Sequence, residues 1–216
     1  IHQAEPEILK VLEEKGLLIC QSKIKHSYPH CWRHKTPTIF RATSQWFISM
    51  DKKGLRQEIL QEIEAIQFIP TWGKERLYSM IRDRGDWCIS RQRYWGVPIP
   101  FFLHKETNEL HPRTSELLLE VASRIREEGM DAWFEASVED YLSGEEASLY
   151  EKNQDILDVW FDSGTTHYSV LSKGYEELEY PADLYLEGSD QHRGWFNSSI
   201  CTSTAMNGIA PYKGLL

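Results

Sequence analysis

Several stretches of the chain carry apolar residues at helical spacing. Between 5 and 15, Ile8, Leu9 and Leu12 share one face, and Gly16 follows as a stop. Leu55, Ile59, Ile63 and Ile66 predict a helix over 55–66. Further helices are predicted over 73–82 and over 115–128, the latter with Thr114 as cap and Gly129 as stop. A last one, over 195–206, is made mainly of small and apolar residues.

Extended structure is expected elsewhere. Residues 17–20 and 23–28 read as a small hairpin, and 28–37 as a loop punctuated by Pro29 and Pro37. Residues 38–48 read as extended chain, as do 97–103, where Pro98 and Pro100 forbid a regular helix. A turn is expected at 105–108, and the acidic, weakly periodic stretch 131–154 reads as an insertion with short helices. Further on, the apolar run Val159-Trp160-Phe161 is broken by Asp162-Ser163-Gly164, and 182–187 reads as a strand ending in a Gly-Ser-Asp turn before the last helix. Strand, turn and helix in that order make half of a parallel βαβ unit, whose ligands collect at the carboxyl ends of the strands. That places Glu187, Gly188, Ser189, Asp190, Gln191 and His192 at a ligand edge. No internal repeat is apparent.

Composition changes this picture little. In 216 residues, 41% hydrophobic content is enough for a packed core, and a formal charge of −9 offers no global attraction for a polyanion. Two stretches are locally basic, around Lys23–Lys35 and Arg82–Arg93, and each reads either as a solvated face or as a phosphate-contacting one. The four cysteines form no Cys-x-x-Cys pair, which fits a reducing compartment and gives no zinc-ribbon spacing. His30, Cys31 and His34 cluster, but four well-spaced metal ligands are not visible, so no metal is assigned. No apolar run approaches a membrane span, and no signal segment is visible. The chain begins on Ile1 and stops after Gly214-Leu215-Leu216, and both ends read as cut.

The chemistry of the ligand edge has two readings. Glu187 can accept from an ammonium group or a ribose hydroxyl, Gly188 lets a ligand approach the backbone, and Asp190 and Gln191 add a carboxylate and an amide beside a helix start with free amide donors. Together they can grip a small zwitterion or nucleotide. Alternatively they form a capped βα turn, with Asp190 as N-cap. Trp160 and Trp195, on strand and helix ends, either wall an apolar pocket or pack in the core. Asp158 and Asp162 are either an acid/base pair or turn and cap residues. Asp190, His192 and Ser198 have the residue types of a hydrolase triad but lack the Gly-x-Ser-x-Gly elbow, and no phosphate-binding or dinucleotide glycine motif is present.

Four segments, taken in order, resemble the class I aminoacyl-tRNA synthetases, and among them the isoleucyl-tRNA synthetases. They are Tyr28-Pro29-His30-Cys31-Trp32-Arg33-His34-Lys35-Thr36-Pro37 with Arg41-Ala42-Thr43-Ser44-Gln45-Trp46-Phe47; Asp86-Trp87-Cys88-Ile89-Ser90-Arg91-Gln92-Arg93-Tyr94-Trp95-Gly96; Asp158-Val159-Trp160-Phe161-Asp162-Ser163-Gly164; and Tyr185-Leu186-Glu187-Gly188-Ser189-Asp190-Gln191-His192-Arg193-Gly194-Trp195-Phe196. The Ser-Arg-Gln-x-x-Trp-Gly element is shared with valyl- and leucyl-tRNA synthetases. The Pro-His-Cys-Trp-Arg and Trp-Phe-Asp-Ser-Gly segments look like the isoleucyl form.

The resemblance implies an α/β fold: the second half of a class I synthetase Rossmann catalytic domain with α+β connective insertions. It implies that 1–50 end an editing insertion and return to the catalytic domain, that 51–155 are connective insertions with a short catalytic-core segment near 86–103, and that 156–216 are the second half of the Rossmann domain. The implied activity is that of an isoleucine–tRNA ligase, which activates isoleucine with ATP (carrying Mg2+) to isoleucyl-adenylate and transfers it to tRNA(Ile). Glu187, Gly188, Asp190 and Gln191 would lie along the adenylate, and Trp160 and Trp195 would wall the isoleucine pocket. No side chain is assigned a catalytic role, because such transfer needs positioning and electrostatics more than a nucleophile. Apolar contacts separate isoleucine from valine weakly, a limit for which isoleucyl-tRNA synthetase is itself the standard illustration, so the family adds a hydrolytic editing site. No sign of that site is seen here. The His-Ile-Gly-His and Lys-Met-Ser-Lys-Ser signatures are also absent from these residues. A cytoplasmic, monomeric full enzyme is expected, and an internal fragment unable to make adenylate alone. The competing expectations are a non-catalytic module that binds tRNA or a partner fragment and, more remotely, an unrelated hydrolase.

Overall fold

The computed structural model describes residues 4–216, and the chain divides into two compact units between Ser44 and Gln45. In the first, α1 (Ala4–Glu14) forms as its spacing predicts and buries no residue fully. The expected hairpin over 17–28 does not form. Ile19 is completely exposed and Ile24 nearly so, and an alternating strand without a core face gains nothing by pairing. The pairing lies later instead. His30 and Pro37 form an antiparallel bridge, and the Cys31 amide donates to the Thr36 carbonyl (2.8 Å), closing a turn over the Cys31–His34 segment.

The second unit runs β1 (Phe47–Ile48), α2 (Leu55–Ala65), β2 (Gln67–Phe68), α3 (Trp72–Arg82), β3 (Trp87–Cys88), β4 (Ser90–Arg91) and β5 (Phe102–His104). It continues through α4 (Thr114–Glu128), α5 (Asp131–Glu135), α6 (Gly144–Leu149), β6 (Tyr150–Lys152), β7 (Ile156–Leu157), α7 (Val159–Gly164), α8 (Trp195–Asn207) and β8 (Gly214–Leu215). Of the predicted extended run 38–48, only β1 pairs, antiparallel to β3. The apolar run at 159–161 is not a strand end. It opens α7, because the Asp158 side chain accepts from the Trp160 amide and caps a helix there.

Helices α2 and α3 bury one residue per turn, Leu55, Ile59 and Ile63 on the first and Gly73, Leu77 and Ile81 on the second. They pack with α8 around a core that includes Met50, Phe68, Phe196, Ile200 and Tyr212. Helix α8 is buried from Phe196 to Thr204 although half of that stretch carries hydroxyls. The hydroxyls are tolerated because most find backbone partners: Thr202 Oγ1 donates to the Gly164 carbonyl (2.6 Å) and Ser203 Oγ to that of Ile209 (2.7 Å).

Three extended segments run parallel beside this core. β2 pairs with β8, and the stretch 182–187 lies along the other side of β8, bridged at Ala182–Tyr212 and Tyr185–Leu215. A second core, of Phe102, Leu117, Val121, Trp133, Leu142 and Ala147, holds β5, β6 and α4–α6 together. Gly129 ends α4 at φ 88°, its amide donating to the Ile125 carbonyl, as expected of a glycine stop. The two cores divide the stretch 51–155. Its first part packs with α8, and only the part from Phe102 has a core of its own.

Candidate functional site

Glu187 stands exposed at the carboxyl end of the 182–187 run, its amide donating to the Leu216 carbonyl (3.1 Å) and its carboxylate accepting from the Gly188 amide (3.4 Å). A short 3-10 helix, Ser189–His192, separates it from α8. That extra turn changes which residue caps α8. The predicted cap, Asp190, lies inside the 3-10 helix, and α8 starts only after Gly194. Gln191 does the capping: its Oε1 accepts from the Trp195 amide (2.8 Å), while its Nε2 donates to Asp190 Oδ2 (3.2 Å). A Cβ at Gly188 would stand 2.7 Å from Asp190 Oδ1, the end of an exposed side chain that can turn aside.

Both tryptophans lie beside Gly194. A Cβ at Gly194 would strike Gln191 Oε1 and lie 2.8 Å from Trp160 Cη2, so Trp160 rests directly on the backbone that starts α8. Trp160 is 42% exposed, which leaves an indole face open rather than packed in the core. Trp195 is locked in place. Its ring stacks on Tyr185 (4.1 Å between centroids, 12° apart) and its Nε1 donates to the Ser163 carbonyl (2.9 Å). Glu187, Gly188, Asp190, Gln191, Trp160 and Trp195 thus surround one turn and the first residue of one helix.

The hydrolase constellation does not assemble. His192 Nδ1 binds the Ser189 carbonyl, Ser198 Oγ donates to the Trp195 carbonyl, and Asp190 is exposed. Of the Asp158/Asp162 pair, Asp158 is a tie. It is buried, caps α7, accepts from Trp87 Nε1 (3.0 Å) and pairs with Arg91 (2.9 Å). Asp162 is different: burial, and next the charge of Asp158, push its carboxyl up to about 6. It lines a cavity of about 800 Å³ together with Arg91, Arg93, Trp95, Phe134 and Asp158.

The Arg82–Arg93 stretch is not one solvated face. Arg82 pairs with its neighbour Asp83, but Arg84 donates to Asn197 on α8 and lies over Trp87 (5.0 Å), and Arg91 binds Asp158. Arg84 therefore ties the loop after α3 to α8, and Arg91 ties β4 to the start of α7. Their partners lie far along the chain, so spacing within the stretch carries no signal for this. In the first unit, Cys31 Sγ lies 3.4 Å from His34 Nδ1 while His30 Nδ1 turns to the Tyr28 carbonyl. Backbone amides of His34 and Arg33 hold the Cys31 thiol below its ordinary range. Among the described residues no group of three or more His, Cys, Asp or Glu side chains is placed to hold a metal ion. No helix among them is long and apolar enough to cross a membrane.

The chain is similar to known proteins along its whole length. A family profile described as "tRNA synthetases class I (I, L, M and V)" matches residues 3–216. Proteins named isoleucine–tRNA ligase from Acinetobacter baylyi, Dichelobacter nodosus and Cronobacter sakazakii are 64%, 60% and 57% identical to it over 100% of its length. The chain spans 23% of the length of each of these relatives. A solved leucyl-tRNA synthetase complex, titled "Agrobacterium radiobacter K84 agnB2 LeuRS-tRNA-LeuAMS", aligns over 61% of this chain and 19% of its own at 21% identity and a TM-score of 0.41, too slight a likeness to establish the fold. The match of the profile along essentially the whole sequence places this mixed helix-and-strand chain in the class I tRNA synthetase family.

Proposed function

We propose that this chain forms the isoleucyl-adenylate edge of the catalytic domain of an isoleucine–tRNA ligase. In this reading β2, β8 and the 182–187 run, with α3 and α8, are the second half of a Rossmann domain. The module with its own core, from Phe102 to Lys152, is the connective insertion, and residues up to 44 close the editing insertion. The full enzyme joins isoleucine, ATP with its Mg2+ and tRNA(Ile), as a cytoplasmic monomer. ATP and Mg2+ enter as substrates, so the chain need not supply a metal cage.

The observation that carries the reading is the setting of Glu187. It is an exposed carboxylate at the carboxyl end of a parallel strand, where open α/β sheets collect ligands. Identity of 57–64% over the full chain to proteins named isoleucine–tRNA ligase supports the choice of amino acid. Glu187 accepts from the ribose or the ammonium of the adenylate, Gly188 and the 3-10 turn leave the backbone close to it, and the open face of Trp160 with the fixed edge of Trp195 bounds the side-chain pocket. Catalysis here consists of holding the reacting groups in place.

Calorimetry with a non-hydrolysable isoleucyl-adenylate analogue tests this. The Glu187→Ala variant should bind about tenfold or more weakly, the loss expected for a hydrogen bond to a charged group. An unchanged Kd would remove Glu187 from the site. These 216 residues alone should show no ATP–pyrophosphate exchange, and detectable exchange would contradict the assignment of the ATP signatures to other parts of the enzyme.

A further inference from the structure

His192 is the buried polar residue of the adenylate edge that no part of the reading uses. It is 6% exposed and sits between the rings of Trp72 (5.7 Å) and Phe196 (5.4 Å). Its Nδ1 lies 2.9 Å from the Ser189 carbonyl. A carbonyl only accepts, so Nδ1 carries the hydrogen, and in the neutral ring Nε2 is the bare acceptor. That Nε2 is buried without a hydrogen-bond partner among the described residues. It points at Gly73 on α3, where a Cβ would stand 2.9 Å from it. His192, Ser189 and Glu187 also line one small cavity of about 140 Å³ with Trp72 and Gly73.

A buried imidazole that leaves one nitrogen bare forgoes a hydrogen bond. The fold keeps it there because the other nitrogen closes the turn. Ser189 O to His192 Nδ1 spans the 3-10 helix, and the same turn carries Asp190 and the Gln191 side chain that starts α8. We propose that His192 is a positioning residue: wedged between Trp72 and Phe196, it fixes the 187–191 loop through Nδ1, and Gly73 is small so that the ring can seat against α3. The role in ligand binding rests on the reading of this edge as the adenylate site, whereas the role in fixing the turn does not.

Two replacements separate the two nitrogens. Asparagine places its amide nitrogen near the position of Nδ1, and glutamine places its own near Nε2. In the full-length protein, His192→Gln should speed amide exchange at Gln191 and Arg193 about tenfold, and His192→Asn should stay within about threefold of the wild type, as expected when one local hydrogen bond is lost or kept. Gly73→Ala should act like His192→Gln and lower the melting temperature, because the added methyl crowds the buried His192 ring and Phe68 by more than the helix preference of alanine offsets. The Kd for the isoleucyl-adenylate analogue should follow the same order, about tenfold weaker for His192→Gln and Gly73→Ala. Equal exchange in the glutamine and asparagine variants would overturn the proposal. A wild-type protein that fails to bind the analogue, with the exchange pattern as described, would sink the adenylate reading and leave the strut in place.

Discussion

The two cores of the 45–216 unit are built from similar elements but finished differently. The module around Trp133 closes on itself. Lys152 Nζ donates to the Trp133 and Ala136 carbonyls at the end of α5 and lies over the Trp133 ring at 4.5 Å, and buried His111 is paired with Glu146 at 2.9 Å. Most helix ends and buried polar groups there are matched within the module, the Tyr141 hydroxyl being the buried exception among the described residues. The core around α8 is finished on one side only. Its 182–187 run is paired to β8 along one edge, Glu187 and Asp190 are exposed, Asp162 is half-buried with a raised carboxyl, and His192 keeps a bare nitrogen. Open backbone and unspent polar groups cost stability where they serve nothing. Their concentration in one core and scarcity in the other is the contrast on which the proposed adenylate edge rests.

The sharpest way to break this contrast is to hollow each core in turn. Trp133 is 1% exposed and packs edge-on against Phe102 at 5.4 Å. Trp133→Ala should cost about 3–5 kcal/mol, the range for removing a large buried ring. Hydrogen exchange should show the lost protection confined to the Phe102–Lys152 module, with binding of the adenylate analogue changed less than about twofold if the cores are independent. Loss of binding would show that the module is part of the site. Ile200 is fully buried at the middle of α8. Ile200→Ala should cost about 2–5 kcal/mol, and binding should weaken with it, because α8 carries Trp195 and rests on Gly194. A variant destabilised in urea but binding like the wild type would mean that the edge is held by something other than α8.

How much of this was legible in the sequence follows from how local each signal is. Helices α2, α3 and α4 could be read because their core faces repeat along the chain, Leu55–Ile59–Ile63 being the plainest, and α8 from its run of small and apolar residues. The parallel run into Glu187 was legible because strand, turn and helix follow one another without a break. The 17–28 hairpin failed because alternation predicts a strand only where one face meets a core, and Ile19 meets none. Of the two readings of Asp190, the cap does not hold, because a four-residue 3-10 turn moves the start of α8 to Gly194 and hands the amide of Trp195 to Gln191. Arg84 and Arg91 gave no sign of turning inward, since their partners Asn197 and Asp158 lie far along the chain. Residues whose roles depend on such distant partners are the ones that spacing does not reveal.

The smallest expected effect tests the open core through a single charge. Asp162 has its carboxyl raised from 3.8 to about 6, first by burial and then by the neighbouring charge of Asp158. Between those two values the native state holds a proton that the unfolded chain has released, so stability falls as pH rises from about 4 to 6 and the cost is fully present above that window. Asp162→Asn removes the titrating group. Its stability relative to the wild type should therefore grow by about 1 kcal/mol between pH 4 and pH 7, a figure well below the full shift because a half-buried carboxyl is partly screened by water. Urea unfolding at a series of pH values measures it. A flat difference across the window would mean that water reaches Asp162 freely and that the cavity beside it belongs to the solvent. A rising one would mean that the wild-type protein carries an unneutralised carboxylate at working pH, a cost that only a ligand or neighbouring group able to use the charge would offset.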